Sequence, residues 1–409
     1  MTNAGLIEIN RCEVCGGSKL RPAIDLGPHP MCDDLVAVGE DRACREFPID
    51  ILYCDTCRTA HQRFQIPKRL LFPTTYHYRS RQTLDVLNGM RMLAEACEGL
   101  YGSLADKKVV DIGCNDGSLL SIFAQRGAQT FGIEPTGAAA DAAAAGHSVI
   151  NDFLSEDVAR EVVRRFGHPS IVTFTNVFAH IEDLGAVIRA LKTLSDADTK
   201  IVVENHYLGA ILARRQFDTF YHEHPRTYSY TSFEHIAASL GMSVARVDFP
   251  ERYGGNIRVF LGREARASEA DRAAWQERER SFGDDLLRLS REVERWQARK
   301  HAQITELVRR HGPLAAKAFP GRAAIPIKML KLDRDVIAAV YEKPGSPKIG
   351  HYVPGTRIPV LSDDDFSAAS HKAPVVNMAW HIAAEIEGYM RGRGFAGPIV
   401  DIIASDDFA

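Results

Sequence analysis

Residues 108–117, KVVDIGCNDG, set a short β-rich run against a turn bounded by Gly113 and Gly117, a pattern that commits this part of the chain to a strand, a tight turn and a helix. The two glycines let the backbone turn sharply and approach a ligand without side-chain obstruction. Three more β-rich runs follow: TFGIE (130–134), SIVTFT (170–175) and KIVVE (200–204). Helical stretches separate them, which is the signature of a parallel sheet covered on both faces. SVARVDF (243–249) and NIRVFLG (256–262) are joined by the short PERYGG segment, so they read as an antiparallel hairpin ending that sheet.

Upstream, residues 1–68 hold few periodic segments and many turn formers, and such a stretch does not easily close a core alone. It carries two CxxC pairs, Cys12 with Cys15 and Cys54 with Cys57. Two matched pairs favour a four-thiolate Zn2+ site over redox chemistry, and a closed site of this kind is architectural, with no open position for water. Cys32, Cys44, Cys97 and Cys114 lack ligand spacing, although Cys32 and Cys44 lie between the pairs. Downstream, Trp275, Phe282, Leu286, Leu287, Leu289, Val293 and Trp296 form an apolar stripe that predicts a helical connector within 267–311. VIAAVY (336–341), PVVNMA (374–379) and PIVDII (398–403) then alternate with helical stretches. The expected organisation is a zinc-binding module (1–68), a central Rossmann-like α/β domain (69–265), and the connector with a smaller C-terminal α/β domain (266–409).

Bulk properties narrow the partners. With 50 basic and 53 acidic residues among 409, the net charge of −3 provides no broad positive field for nucleic acid. No apolar run approaches bilayer length and no N-terminal stretch resembles a signal peptide, so no membrane association and a cytoplasmic location are expected. Thiolates rather than disulfides suit that compartment.

The turn has neither GxGxxG spacing nor a GK(S/T) phosphate loop, which disfavours NAD and ATP. Asp111, Gly113, Asn115 and Gly117 face the expected cofactor. Glu134, ending the second run, can accept both ribose hydroxyls. Asp152 and Phe153 suit an adenine amine and an apolar wall for its ring, and Asn176 follows the SIVTFT run. On these residues the middle of the chain resembles class I methyltransferases, which implies S-adenosyl-L-methionine (SAM) as methyl donor.

Residues 216–230, QFDTFYHEHPRTYSY, concentrate aromatic and titratable groups just beyond the KIVVE run, where a doubly wound sheet places chemistry. Tyr221, His222, Glu223 and His224 combine imidazoles with a carboxylate, a setting for a base near neutral pH. If the stretch is extended, Tyr221 and Glu223 share one face, His222 and His224 the other. Together with the CxxC pairs, DIGCNDG, RYGGNIRVFLG (252–262) and KIGHYVPGTRIPV (348–360), the YHEH stretch resembles the three-domain sugar C-methyltransferase family over nearly the whole chain. The resemblance implies a small-molecule substrate, a nucleotide-linked ketosugar methylated on the carbon beside its ketone. It implies His224 as the base, with Tyr221, Glu223, Tyr76 and His180 lining the site. HPMCDDLV (29–36) departs from the family's pattern, as does AFPGRAAIP (318–326), which stands where relatives have a glycine-rich turn near the nucleotide; Arg322, Lys328, Lys331, His351 and Arg357 are the basic residues available to phosphates. Two other readings are an RNA methyltransferase, disfavoured by the near-neutral charge, and a non-catalytic binding protein, disfavoured by the intact candidate site.

Overall fold

The computed structural model describes residues 5–72, 79–82, 84–264, 266–368 and 371–408. The chain forms two compact units: Met1–Pro22, Leu52–Ala213 and Glu223–Gly283 make one, and Ala23–Ile51, Arg214–His222 and Asp284–Ala409 the other.

The first unit is built on seven strands: β1 (Lys108–Ile112), β2 (Gln129–Ile133), β3 (Ser148–Ile150), β4 (Ile171–Thr175), β5 (Lys200–His206), β6 (Ser243–Asp248) and β7 (Asn256–Gly262). Their order across the sheet is β6-β7-β5-β4-β1-β2-β3. The five from β5 to β3 are parallel, and β7 joins β5 antiparallel and pairs with β6 as the expected hairpin. β5 runs two residues past the KIVVE segment, to His206. On one face lies helix α1 (Leu84–Tyr101), whose Val86, Met90, Leu93 and Cys97 recur at helical spacing and pack against Val109, Phe123, Ile171, Val202 and Phe260. Leu93 and Phe123 are fully buried, each contributing about 1.5–3 kcal/mol.

The N-terminal segment holds more strand than its turn-forming composition suggested: Leu20–Pro30 is an 11-residue strand and Glu46–Cys54 a 9-residue one. In the latter, the alternating burial of Phe47, Ile49 and Ile51 is the period-2 signal the turn formers obscured. Within the first unit, Thr59–Gln62 pairs antiparallel with Arg226–Thr227.

The expected single connector is two helices, Glu269–Arg278 and Phe282–His311. The break is at Glu279, a buried carboxylate that accepts the amides of Tyr230 (2.6 Å) and Thr231 (3.0 Å) and the hydroxyl of Tyr207 (3.1 Å). It thereby satisfies two of the orphan donors at the start of helix Tyr230–Ser239, and the Ser229 hydroxyl takes the Ser232 amide.

The second unit carries five parallel strands: β8 (Leu314–Lys317), β9 (Ile337–Glu342), β10 (Val360–Ser362), β11 (Val375–Asn377) and β12 (Ile399–Asp401), in the order β10-β9-β8-β11-β12. Helix Phe282–His311 buries Trp296 here, with its ring 4.8 Å from that of Phe217 and its indole N–H donated to the Ile402 carbonyl. Among the described residues no helix is long and apolar enough to cross a membrane.

Candidate functional site

The sulfurs of Cys12, Cys15, Cys54 and Cys57 all lie within 4.8 Å of one another, with Cys12 to Cys57 at 3.3 Å and Cys15 to Cys54 at 3.6 Å. A tetrahedral zinc with Zn–S bonds of about 2.3 Å sets its sulfurs about 3.8 Å apart, so the four thiols fit that ion. Each pair sits on a tight turn. The Gly16 amide bonds the Cys12 carbonyl with Gly16 at φ 75°, and the Arg58 amide bonds the Cys54 carbonyl with Arg58 at φ 56°. Cys32 and Cys44 belong to the other unit.

At the end of β1 the turn uses the left-handed region at Gly113 (φ 69°), Asn115 (φ 50°) and Gly117 (φ 77°). A Cβ on Gly113 would stand 2.6 Å from Cγ2 of Val177, so the fold itself requires glycine there. The Asn115 amide donates to Glu134 Oε2 at 2.9 Å, while Glu134 Oε1 accepts the amide and hydroxyl of Thr136 at 2.8 and 2.6 Å. A carboxylate oxygen accepts about two bonds, so Oε2 retains capacity for a ribose hydroxyl. Asp111 is buried and accepts the Thr173 hydroxyl at 2.6 Å; burial pushes its carboxyl up to about 7. The Ser80 amide donates to the Asn115 side chain and the Arg81 amide to Asp116, which pins the segment leading into α1 onto the turn. Farther along, exposed Asp152 accepts the Phe153 amide, and the Lys68 ammonium lies 4.4 Å from the centre of the Phe153 ring. Asn176, at φ 54° just beyond β4, donates its amide to the Glu204 carbonyl and accepts the Asn256 side-chain amide.

The YHEH stretch is a turn, so the extended-chain alternation of its side chains does not apply. Tyr221 and His222 belong to the second unit, where the His222 imidazole bonds the Phe47 carbonyl at 3.0 Å. Glu223 and His224 belong to the first. There the buried His224 ring lies 4.9 Å from that of His180 and 5.2 Å from that of His206. His180 follows β4 and His206 ends β5, so the three imidazoles meet at the carboxyl ends of neighbouring strands. The Glu223 carbonyl can only accept, so its 2.7 Å bond puts the proton of His180 on Nδ1. Burial pulls the His180 imidazole down to about 4, which leaves it neutral at physiological pH. Tyr76 lies outside the described residues. His206 is absent from the sequence-based site because the KIVVE run ends at Glu204, two residues before the strand does; a histidine ending a buried strand is its available signal.

Family models match three successive segments: a zinc binding domain at residues 12–72, a methyltransferase domain at 81–247 and a C-methyltransferase C-terminal domain at 251–396. C-methyltransferase NovU of Streptomyces niveus is 30% identical over 394 residues, covering 92% of this chain and 91% of that protein. A ubiquinone biosynthesis O-methyltransferase of Stutzerimonas stutzeri (strain A1501) is 38% identical over 99 residues, 22% of this chain and 41% of that protein. Among solved structures, magnesium protoporphyrin IX methyltransferase (ChlM) from Synechocystis PCC 6803 with bound SAH overlaps 44% of this chain and 84% of its own at 18% identity, with a TM-score of 0.35.

Proposed function

We propose, from the premise that this chain belongs to the C-methyltransferase family and is a SAM-dependent methyltransferase, that it methylates a nucleotide-linked ketosugar on the carbon beside the ketone, in deoxysugar or surface-polysaccharide biosynthesis. The observation that supports the chemistry is the group of imidazoles from His180, His206 and His224. A carbon next to a ketone gives up its proton only to a placed base while its developing oxyanion is held by donors. His224 is assigned as that base, because its imidazole can accept a proton and its ring contacts both of the others. Tyr221, Glu223, Tyr76 and His180 are assigned to the same site, and neutral His180 serves to hold His224 in place rather than to compete for the proton.

The bound cofactor supplies an electrophilic methyl on a sulfonium. Glu134 is assigned to its ribose, Asp152 and Phe153 to its adenine, and Asp111, Gly113, Asn115, Gly117 and Asn176 to the rest of its cradle. β4 lies beside β1 and β5 beside β4, and strands lie about 4.8 Å apart, so the strand ends that carry His180 and His206 are one and two strand widths from the donor turn. Residues 1–68 are assigned the zinc-binding role, 69–265 the donor and the reaction, and 266–409 the nucleotide end of the substrate.

His224→Ala tests the assignment. Methyl transfer to a panel of nucleotide ketosugars should fall by about 10²–10⁴-fold while SAM affinity stays within about twofold; comparable turnover would remove His224 from the base role. Product carbon spectra then distinguish transfer to carbon from transfer to oxygen or nitrogen. Metal analysis should find about one zinc per chain, and a folded, metal-free protein would refute the four-thiolate site.

A further inference from the structure

Arg226 follows the YHEH turn by two positions and is completely buried. A buried guanidinium carries a desolvation penalty of several kcal/mol unless its hydrogen-bonding groups are met, and here acceptors come from three separate segments. Nη1 bonds the carboxylate of Glu13, which lies between Cys12 and Cys15. Nη2 bonds the carbonyls of Ile181 and, at 3.2 Å, Glu182, the two residues that follow His180. Nε donates to the Tyr228 hydroxyl at 3.0 Å. One planar fork thus grips the first thiol turn and the segment after His180 from a base two residues past His224.

The second thiol turn grips the same segment through its backbone. Arg226 pairs with His61 and Thr227 with Ala60 in an antiparallel ladder, and the Gln62 amide bonds the Pro225 carbonyl at 2.8 Å. The hydroxyls of Ser229 and Ser232 both donate to the Cys57 carbonyl, at 3.4 and 3.2 Å. The chain leaving His224 is therefore fastened to both halves of the thiol cluster. An architectural metal needs only to hold its own fold together, and this wiring goes further.

We infer that Arg226 is a positioning residue that couples the zinc site to the His180–His224 pair, so that occupancy of the four thiolates sets the geometry of the reacting imidazoles as well as the stability of the fold. The inference rests on the reading of His224 as the base. Zinc would fix Cys12 and Cys15, these fix Glu13 between them, and Glu13 fixes the guanidinium that holds the turn after His180. Lysine preserves the charge at 226 but, as a point donor on a flexible stem, cannot hold three segments in one plane.

The test uses full-length, zinc-loaded Arg226→Lys with a nucleoside diphosphate 4-keto-6-deoxyhexose as acceptor. Zinc should stay near one per chain and SAM affinity within about twofold. kcat should fall about 10²-fold, the scale of a displacement of roughly 1 Å at a reacting group, with the acceptor KM nearly unchanged. Histidine-labelled NMR should show the imidazole resonances of both His180 and His224 moved, and the Arg226→Lys/His224→Ala double variant should be no slower than His224→Ala alone. If Arg226→Lys does not fold, Glu13→Gln, which leaves all four thiols, should move the same resonances. Unmoved resonances, an unchanged kcat, or losses that add in the double variant would overturn the coupling. Failure of the base reading looks different, since His224→Ala would then turn over normally while the Arg226→Lys resonances still report on the coupling.

Discussion

The parallel strands of the first sheet and those of the second share a plan and differ in what fills it. Among its five parallel strands each places the first centrally, with the second and third to one side and the fourth and fifth to the other. In each, a glutamate at or just past the end of the second strand accepts an amide from the turn after the first: Glu134 from Asn115 at 2.9 Å, and Glu342 from Phe319 at 2.6 Å. In the first unit that turn is glycine, asparagine and glycine at its left-handed positions. In the second the left-handed residue is Ala318 (φ 61°), and the fully buried Phe319 ring occupies the turn. Lys317, ending β8, makes a buried ion pair with Asp363 at 2.7 Å, where the corresponding first strand carries Asp111 bonded to a threonine hydroxyl. Topology supplies a crevice, and the residues of the turn decide whether backbone or side chains line it.

The contrast can be broken by substitution. The largest effect expected is from Lys317→Met, which strands Asp363 as a buried charge and should lower unfolding free energy by about 3–5 kcal/mol. SAM affinity should stay within about twofold of wild type; a parallel loss of cofactor binding would show that the two sheets do not divide their tasks. Gly113→Ala combines a left-handed alanine with a Cβ against Val177, and should lower stability by about 2–3 kcal/mol and SAM affinity by more than about tenfold, read by calorimetry.

A pH effect confined to the first unit should be smaller. His180 has its pKa lowered to about 4 by burial, below the unfolded value near 6.5. Its unfolded form therefore binds more protons as pH drops, so stability falls between about pH 6.5 and 4 and the loss is complete below that window. Allowing for partial exposure of the ring, His180→Gln should remove about 1–2 kcal/mol of the decline in denaturant titrations; an unchanged slope would show that the imidazole is not held neutral. Smallest is Ala318→Gly, the mirror of Gly113→Ala. Relief of the left-handed strain opposes the greater freedom of an unfolded glycine, so stability should change by less than about 1 kcal/mol.

What could be read along the chain was what local chemistry dictates. Thiol pairs at CxxC spacing are legible because one tight turn presents both ligands, and the longer strands of the first sheet are legible because β-branched residues cluster in them, whereas the three-residue edge strand Ser148–Ile150 is too short to show a pattern. LAAK (314–317) has no β-branched residue, yet it is the central strand of the second sheet, since pairing on both edges outweighs its weak propensity. Glu279 reads as one more charge in a helical run until the start of helix Tyr230–Ser239 comes to rest against it. His206 and Arg226 were similarly mute, because each acquires its meaning from partners far away in the chain.

By itself, then, the sequence determined the four-thiolate module, the glycine turn and the doubly wound class, because each rests on residues that act within a few positions of one another. Only the tertiary structure decided that His180, His206 and His224 meet, that His222 turns to Phe47 instead, and that Arg226 bonds Glu13 together with the carbonyls that follow His180. Those outcomes depend on which distant segments share one buried space, and spacing along a chain carries no direct record of that.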